Sequence, residues 1–229
     1  MKRVVTSTLL LSMILLLTPT SFAQAPSWRY EEPTGYKQAI VRIYSKDVRG
    51  RTRGIGSGTI VKWGVNKIVV LTARHVIDGA KSLVIETFKK KFYNTTVLNP
   101  GDIWDCAVLQ IDGVPEGVTP AEVELGQAAM QKPGNLLTSL GYGGLVRSLA
   151  ANTGAFVTYR RIKEQPNSPD DWMQISGHAR QGDSGGGVFN QNGRLVGVLW
   201  GYDPDDKSIM CVQAGRIHIA LDAAMRKIR

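Results

Sequence analysis

Gln181-Gly182-Asp183-Ser184-Gly185-Gly186-Gly187-Val188 is the most informative stretch of this 229-residue chain. A serine set among glycines keeps an exposed hydroxyl. The missing Cβ atoms let backbone amides turn toward a ligand and let another backbone approach closely. A serine hydroxyl is a poor nucleophile alone and needs a base with an orienting carboxylate. Both stand upstream. Leu71-Thr72-Ala73-Arg74-His75 ends one apolar run, and Asp105-Cys106-Ala107-Val108-Leu109 opens another. Asp102 and Asp112 are rival carboxylates. Asp105 is preferred because an acidic residue that opens an apolar strand directly is held rigidly at its rim.

Outward from this stretch the chain reads as short β-runs separated by turn residues. Residues 38–45, 55–63, 67–72, 82–88, 91–98 and 105–111 form a first set of six. Gly50–Gly54 is read as a turn, and 24–35 as an extended arm with Pro26 and Pro33. Residues 113–134 are broken by Gly113, Pro115, Gly117, Pro120, Pro133 and Gly134, and form the crossing between two units. Residues 135–141, 154–161, 171–175, 186–190, 194–202 and 209–214 make a second set of six. Asn192-Gly193 between apolar runs is the strongest hairpin signal. Ile217, Leu221, Ala224, Met225 and Ile228 recur at helical spacing, so 217–228 is an amphipathic helix. The expectation is an all-β chain of two six-stranded antiparallel β-barrels, spanning 36–112 and 135–216, closed by a C-terminal helix at 217–229.

Leu-Thr-Ala-Arg-His-Val, Asp-Cys-Ala-Val-Leu and Gly-Asp-Ser-Gly-Gly together resemble the trypsin-like serine peptidases, in the bacterial style of the HtrA protease domain. The order His75, Asp105, Ser184 is that of the chymotrypsin-type triad. The resemblance covers about residues 36–228. It implies an active site in a cleft between two barrels, with His75 and Asp105 from the first and Ser184 from the second. It also implies an oxyanion hole from the amides of Gly182 and Ser184, a Ser184 acyl-enzyme and no cofactor. A specificity pocket would be built from His178, Gln181, Leu199, Trp200 and Gly201. His178 stands where trypsins carry Asp, so the pocket should not favour Lys or Arg. His178 with Arg180 could suit an acidic side chain, or His178 could simply line a neutral pocket. In zymogen-type relatives the equivalent of Asp183 pairs with a newly cut amine. This chain has no Ile-Val-Gly-Gly start, and Ile40-Val41 lies inside a strand. Arg74 or Arg180 is the expected counter-ion, with no activating cut. Leu199 stands where relatives often place a serine that supports the triad carboxylate.

Lys2 and Arg3, an apolar run from Val4 to Leu17 and the small residues Ser21 and Ala23 compose a secretory signal peptide at 1–23, with cleavage expected after Ala23 and Ala25 as the second choice. A secreted or periplasmic location follows, with no membrane association once the signal is removed. The run is shorter than the roughly 20 apolar residues of a spanning helix. Removing Lys2 and Arg3 leaves 26 basic against 19 acidic residues, a net charge of +7. Clusters at Arg49/Arg51/Arg53, Lys89-Lys90-Lys91 and Arg160-Arg161-Lys163 are dispersed, which fits solubility better than nucleic-acid binding. Cys106 and Cys211 permit one disulfide, yet both sit in apolar runs where a buried thiol is equally natural. No metal site is expected.

Two other classes compete. Gly182-Asp183-Ser184-Gly185-Gly186 also satisfies the esterase elbow, with Asp205 and His218 as partners, but that elbow needs a helix after the serine. A catalytically silent peptide-binding module on the same fold is the second. A protein or peptide is the expected partner; the sequence does not fix the oligomeric state, and a monomer is favoured. HtrA-type relatives carry a peptide-binding domain after the barrels, and none is expected within these 229 residues.

Overall fold

A computed structural model describes residues 28–64, 67–101, 103–111, 115–144, 148–162 and 169–228. The proposed signal peptide, Asp102, Asp112 and Lys163 lie outside the described residues.

The first barrel is closed by β2 (Ile40–Lys46), β3 (Thr52–Trp63), β4 (Lys67–Ala73), β5 (Ser82–Glu86), β6 (Phe92–Asn99) and β7 (Cys106–Ile111). Their order is β2-β3-β4-β7-β6-β5, antiparallel throughout, and β5 returns to β2 through Arg42↔Glu86 to Lys46↔Ser82. Closure removes the sheet edges that would otherwise recruit other strands. Apolar burial drives it, with β5 burying Leu83 and Ile85 and β7 burying Cys106 to Leu109 without a break. β3 begins at Thr52, inside the stretch read as a turn, because Asp47 closes a tighter turn by accepting from the amides of Arg49 and Arg51.

The second barrel comprises β8 (Leu136–Gly141), β9 (Ala150–Arg160), β10 (Trp172–Ser176), β11 (Gly187–Phe189), β12 (Leu195–Asp203) and β13 (Ser208–Gln213). It runs β9-β10-β13-β12-β11-β8 and closes through β8–β9. The arm supplies a further strand, β1 (Trp28–Tyr30). It pairs with Ala150–Asn152 of β9, beyond the point where β10 ends its pairing at Phe156. Six strands close this barrel, and the arm extends its sheet to seven. The crossing is tied to both units. Ala121 bridges to Val61 in the first barrel and Val123 to Leu195 in the second.

The closing helix α2 (Ala214–Met225) starts three residues earlier than the periodicity indicates, because Gln213 caps it by accepting from the Gly215 amide at 3.0 Å. Ile217, Leu221 and Ala224 lie at i, i+4 and i+7 and are fully buried. Burial of each of the two larger side chains contributes about 2 kcal/mol. The helix reaches across to the first barrel. Asn99 donates to the Ala220 carbonyl at 3.1 Å, and the Trp63 indole donates to Asp222 at 3.2 Å.

Cys106 and Cys211 are both buried and are not joined in a disulfide, one in each of two separate core clusters. Burial pushes the Cys211 thiol well above its ordinary range. The basic clusters are partly consumed locally. Arg51 pairs with Asp47, Lys90 with Glu86, Lys91 with Glu116, and Arg160 with Asp203 and Asp206. Among the described residues no helix is long and apolar enough to cross a membrane.

Tyr142 follows β8 at the barrel junction and is 5% exposed. Burial pushes its phenol up to about 12, with Arg42 acting in the opposite sense and Glu86 adding to the rise. The folded value exceeds the unfolded value of about 10, so the native state holds the proton more tightly. Its contribution is complete below pH 10 and is lost as the pH rises toward 12, by about 2–3 kcal/mol. Denaturant midpoints measured from pH 10 to 12 should therefore fall less steeply in Tyr142→Phe than in the native chain. Equal slopes would refute the assignment.

Candidate active site

β4 runs fully buried through Val69–Ala73 and turns into a single helical turn, α1 (Arg74–Ile77), which lifts His75 out of the first barrel. The turn is held by Thr72, whose hydroxyl donates to the Ser57 carbonyl at 2.7 Å. Across from it, Asp105 stands one residue before β7 and accepts through both carboxylate oxygens. Oδ1 takes the His75 backbone amide at 2.9 Å, and Oδ2 contacts His75 Nδ1 at 2.6 Å. The Asp105 carbonyl accepts from the Arg74 amide at 3.0 Å. Asp105 itself sits at φ +53. A non-glycine residue there costs about 1–3 kcal/mol and persists only where its surroundings over-determine it.

The nucleophile candidate lies on the turn between β10 and β11. Gly182 and Gly185 take φ of +94 and +87, conformations that L side chains rarely adopt. A Cβ on Gly185 would also collide with the Ser57 carbonyl oxygen. Among the described residues neither the Gly182 amide nor the Ser184 amide donates within the chain. Ser184 Oγ donates to the Trp200 carbonyl at 3.1 Å rather than to His75. The carboxylate–imidazole half of the expected array is thus formed, and the hydroxyl half is turned aside.

Sequence reading passed over Ser57. It is fully buried in β3, where its hydroxyl donates to the Gly182 carbonyl at 2.7 Å and accepts from the Tyr142 amide at 2.8 Å. Its own amide donates to the Ser184 carbonyl at 2.8 Å. Ser57 therefore fixes the glycine turn of the second barrel from the first. The signal was present in Gly56-Ser57-Gly58, a hydroxyl between glycines in the middle of an apolar strand.

Asp183 is buried and meets Arg180, not Arg74. The Arg180 guanidinium donates to its two oxygens at 3.1 and 3.2 Å, the Arg180 amide at 2.8 Å and the Gly143 amide at 2.7 Å. Arg74 pairs with Asp78 instead, at 3.5 Å. Removing one partner of a buried pair leaves an uncompensated charge and costs about 3–5 kcal/mol. Arg180→Met should accordingly lower the unfolding free energy by about 3 kcal/mol in a urea titration. A loss below about 1 kcal/mol would show the pair to be superficial.

The expected pocket residues divide. His178 and Leu199 line a small cavity of about 10 Å³ together with Asp183 and Asn152. The His178 ring packs edge-on against Tyr202 at 4.4 Å. Trp200 belongs to a larger cavity of about 290 Å³ with Arg160, Ile162, Tyr202 and Met210. Gly201 faces open space and Gln181 is exposed. Because Arg180 is bound to Asp183, it is committed away from a substrate carboxylate, and His178 stands without it. The esterase alternative fails on geometry. Ser184 leads into strand β11, and His218 sits on α2 against Trp63 and the Glu124 carbonyl. Among the described residues no group of His, Cys, Asp and Glu is arranged to hold a metal.

Two closed antiparallel six-stranded barrels with a C-terminal helix define the chymotrypsin-like class. Residues 56–198 match the trypsin-like peptidase domain, and the chain belongs to that family. Among curated relatives it is similar to the periplasmic pH-dependent serine endoprotease DegQ of Escherichia coli, 27% identical over 146 residues. That alignment covers 63% of this chain and 30% of DegQ. The chain spans about a third of the length of the curated relatives it matches. Among solved structures it resembles a serine endoprotease from Yersinia pestis, with a TM-score of 0.66 at 19% identity, covering 87% of this chain and 70% of that one. An inactive form of Rv3671c from M. tuberculosis is similar at a TM-score of 0.65 and 23% identity, covering 83% and 88%. At these identities the solved structures speak for the fold.

Proposed function

We propose that the chain is an exported serine endopeptidase that hydrolyses protein or peptide substrates through a Ser184 acyl-enzyme. The observation that carries this is the grip of Asp105 on both the backbone amide and Nδ1 of His75. With the proton of the neutral ring held on Nδ1 by the carboxylate, Nε2 keeps the lone pair that a general base needs. When a substrate enters, the Ser184 hydroxyl leaves the Trp200 carbonyl and gives its proton to Nε2 as it attacks the scissile carbonyl. The Gly182 and Ser184 amides receive the developing oxyanion, each worth roughly 3–4 kcal/mol because they act on charge absent from the ground state. His75 then protonates the leaving amine and later activates the water that cleaves the ester. Export is supported by the basic, apolar and small-residue pattern of residues 1–23 and by the periplasmic name of DegQ.

The Ser184–Trp200 hydrogen bond favours one other reading, a silent peptide-binding module whose hydroxyl never reaches the imidazole. A fluorophosphonate probe separates the two. The peptidase carries the label on Ser184, loses it in Ser184→Ala, and yields defined cut sites by mass spectrometry from a denatured protein mixture. Absence of both label and cuts in the native chain would sink the peptidase and leave the binder.

A further inference from the structure

Asp105 is strained, and the position where a supporting hydroxyl is common is filled by Leu199, apolar and 2% exposed. Some other contact must hold the carboxylate in register. Its chain neighbour supplies one. The Trp104 indole N–H donates to Asp171 Oδ1 at 3.2 Å, and the Arg216 guanidinium covers the Trp104 ring at 4.2 Å. Asp171 Oδ2 accepts from Arg216 Nε at 2.6 Å and from Gln213 Nε2 at 3.1 Å. One carboxylate therefore anchors the edge of the indole and the cation that lies on its face. Trp104 comes from the first barrel, Asp171 precedes β10 of the second, and Arg216 stands in the first turn of α2.

We infer that Trp104, Asp171 and Arg216 form a clamp through which the second barrel and α2 position the Asp105 carboxylate against His75. These are positioning residues, argued to act on the imidazole through Asp105. The physical reason is geometric. On one side the Asp105 carbonyl accepts from the Arg74 amide, and its carboxylate accepts from the His75 amide. Holding the preceding indole at its edge and on one face fixes the other end of the same peptide. A cation on an aromatic face and a charge-assisted hydrogen bond both lose strength with small displacements, so the clamp resists rotation of the strained residue.

The clamp rests on the catalytic reading for its effect on rate, but its effect on His75 can be read without turnover. Trp104→Phe keeps the ring and its cation while deleting the donor, and Arg216→Met deletes the cation. Arg216→Lys keeps the charge without the fork and serves if Arg216→Met fails to fold. Two measurements are made where circular dichroism shows a native fold. The first is the low-field proton resonance of His75 Nδ1. The second is kcat and KM on a peptide substrate. We expect the resonance to shift or broaden and kcat to fall about tenfold to a hundredfold, with KM changed less than about threefold. An unchanged resonance, or an unchanged kcat in a chain that turns over, would overturn the clamp. A native chain that neither labels nor hydrolyses would count against Ser184 as nucleophile alone, and the resonance would still decide the clamp.

Discussion

Ser184→Ala is expected to lower kcat about a million-fold while peptide binding persists. In the proposed mechanism the hydroxyl oxygen forms the acyl bond, and an alanine methyl cannot take its place. The Gly182 and Ser184 amides remain in place, since the φ of +94 at Gly182 and the Ser57 contacts do not depend on the Ser184 side chain. A residual acceleration over water of about a thousandfold should therefore survive. The folded state loses only one hydrogen bond to the Trp200 carbonyl, a matter of about 1 kcal/mol. Progress curves on a peptide substrate, with binding followed separately by fluorescence anisotropy, test both halves. A loss smaller than about a hundredfold would mean that another group performs the chemistry.

The second large effect is expected from Asp105→Asn, a drop in kcat of about ten-thousand-fold with the fold intact. The magnitude is the one established for the same swap in the chymotrypsin-type triad. The direction follows from the two bonds seen here. Asp105 Oδ1 must accept from the His75 amide, so an asparagine keeps its carbonyl oxygen there. Its NH₂ group then faces Nδ1 in place of Oδ2. An N–H donor opposite Nδ1 forces the ring proton onto Nε2, which then meets the Ser184 hydroxyl as a donor and cannot take its proton. Nitrogen-15 shifts of the His75 ring should report the change of tautomer. An unchanged tautomer together with unchanged turnover would remove Asp105 from the array.

Much of this was legible residue by residue. The spacing of Leu83 and Ile85 marks a strand by period 2, and the continuous apolar runs around Val69 and Val108 mark strands buried on both faces. Asn192-Gly193 marks the hairpin between β11 and β12, with Gly193 at φ +72. His75 and Asp105 were identifiable because each sits where an apolar strand ends or begins. The start of α2 was misjudged because Ala214 and Gly215 carry no apolar signal, and only the Gln213 cap shows the helix beginning there. The arm at 24–35 hid β1 because three residues cannot display a period.

The sequence by itself determined the number of barrel strands and the closing helix, and it supplied the kinds of side chain that a nucleophilic site requires. Local patterning suffices for those, since each depends on residues within one run. Tertiary structure alone decided that Arg180 rather than Arg74 answers Asp183, and that Cys106 and Cys211 stay apart. It also decided that Ser57 braces the glycine turn and that Trp104 is pinned by Asp171 and Arg216. Those outcomes join positions far apart in the chain, and barrel closure sets which of them meet. No spacing in a linear sequence carries that information.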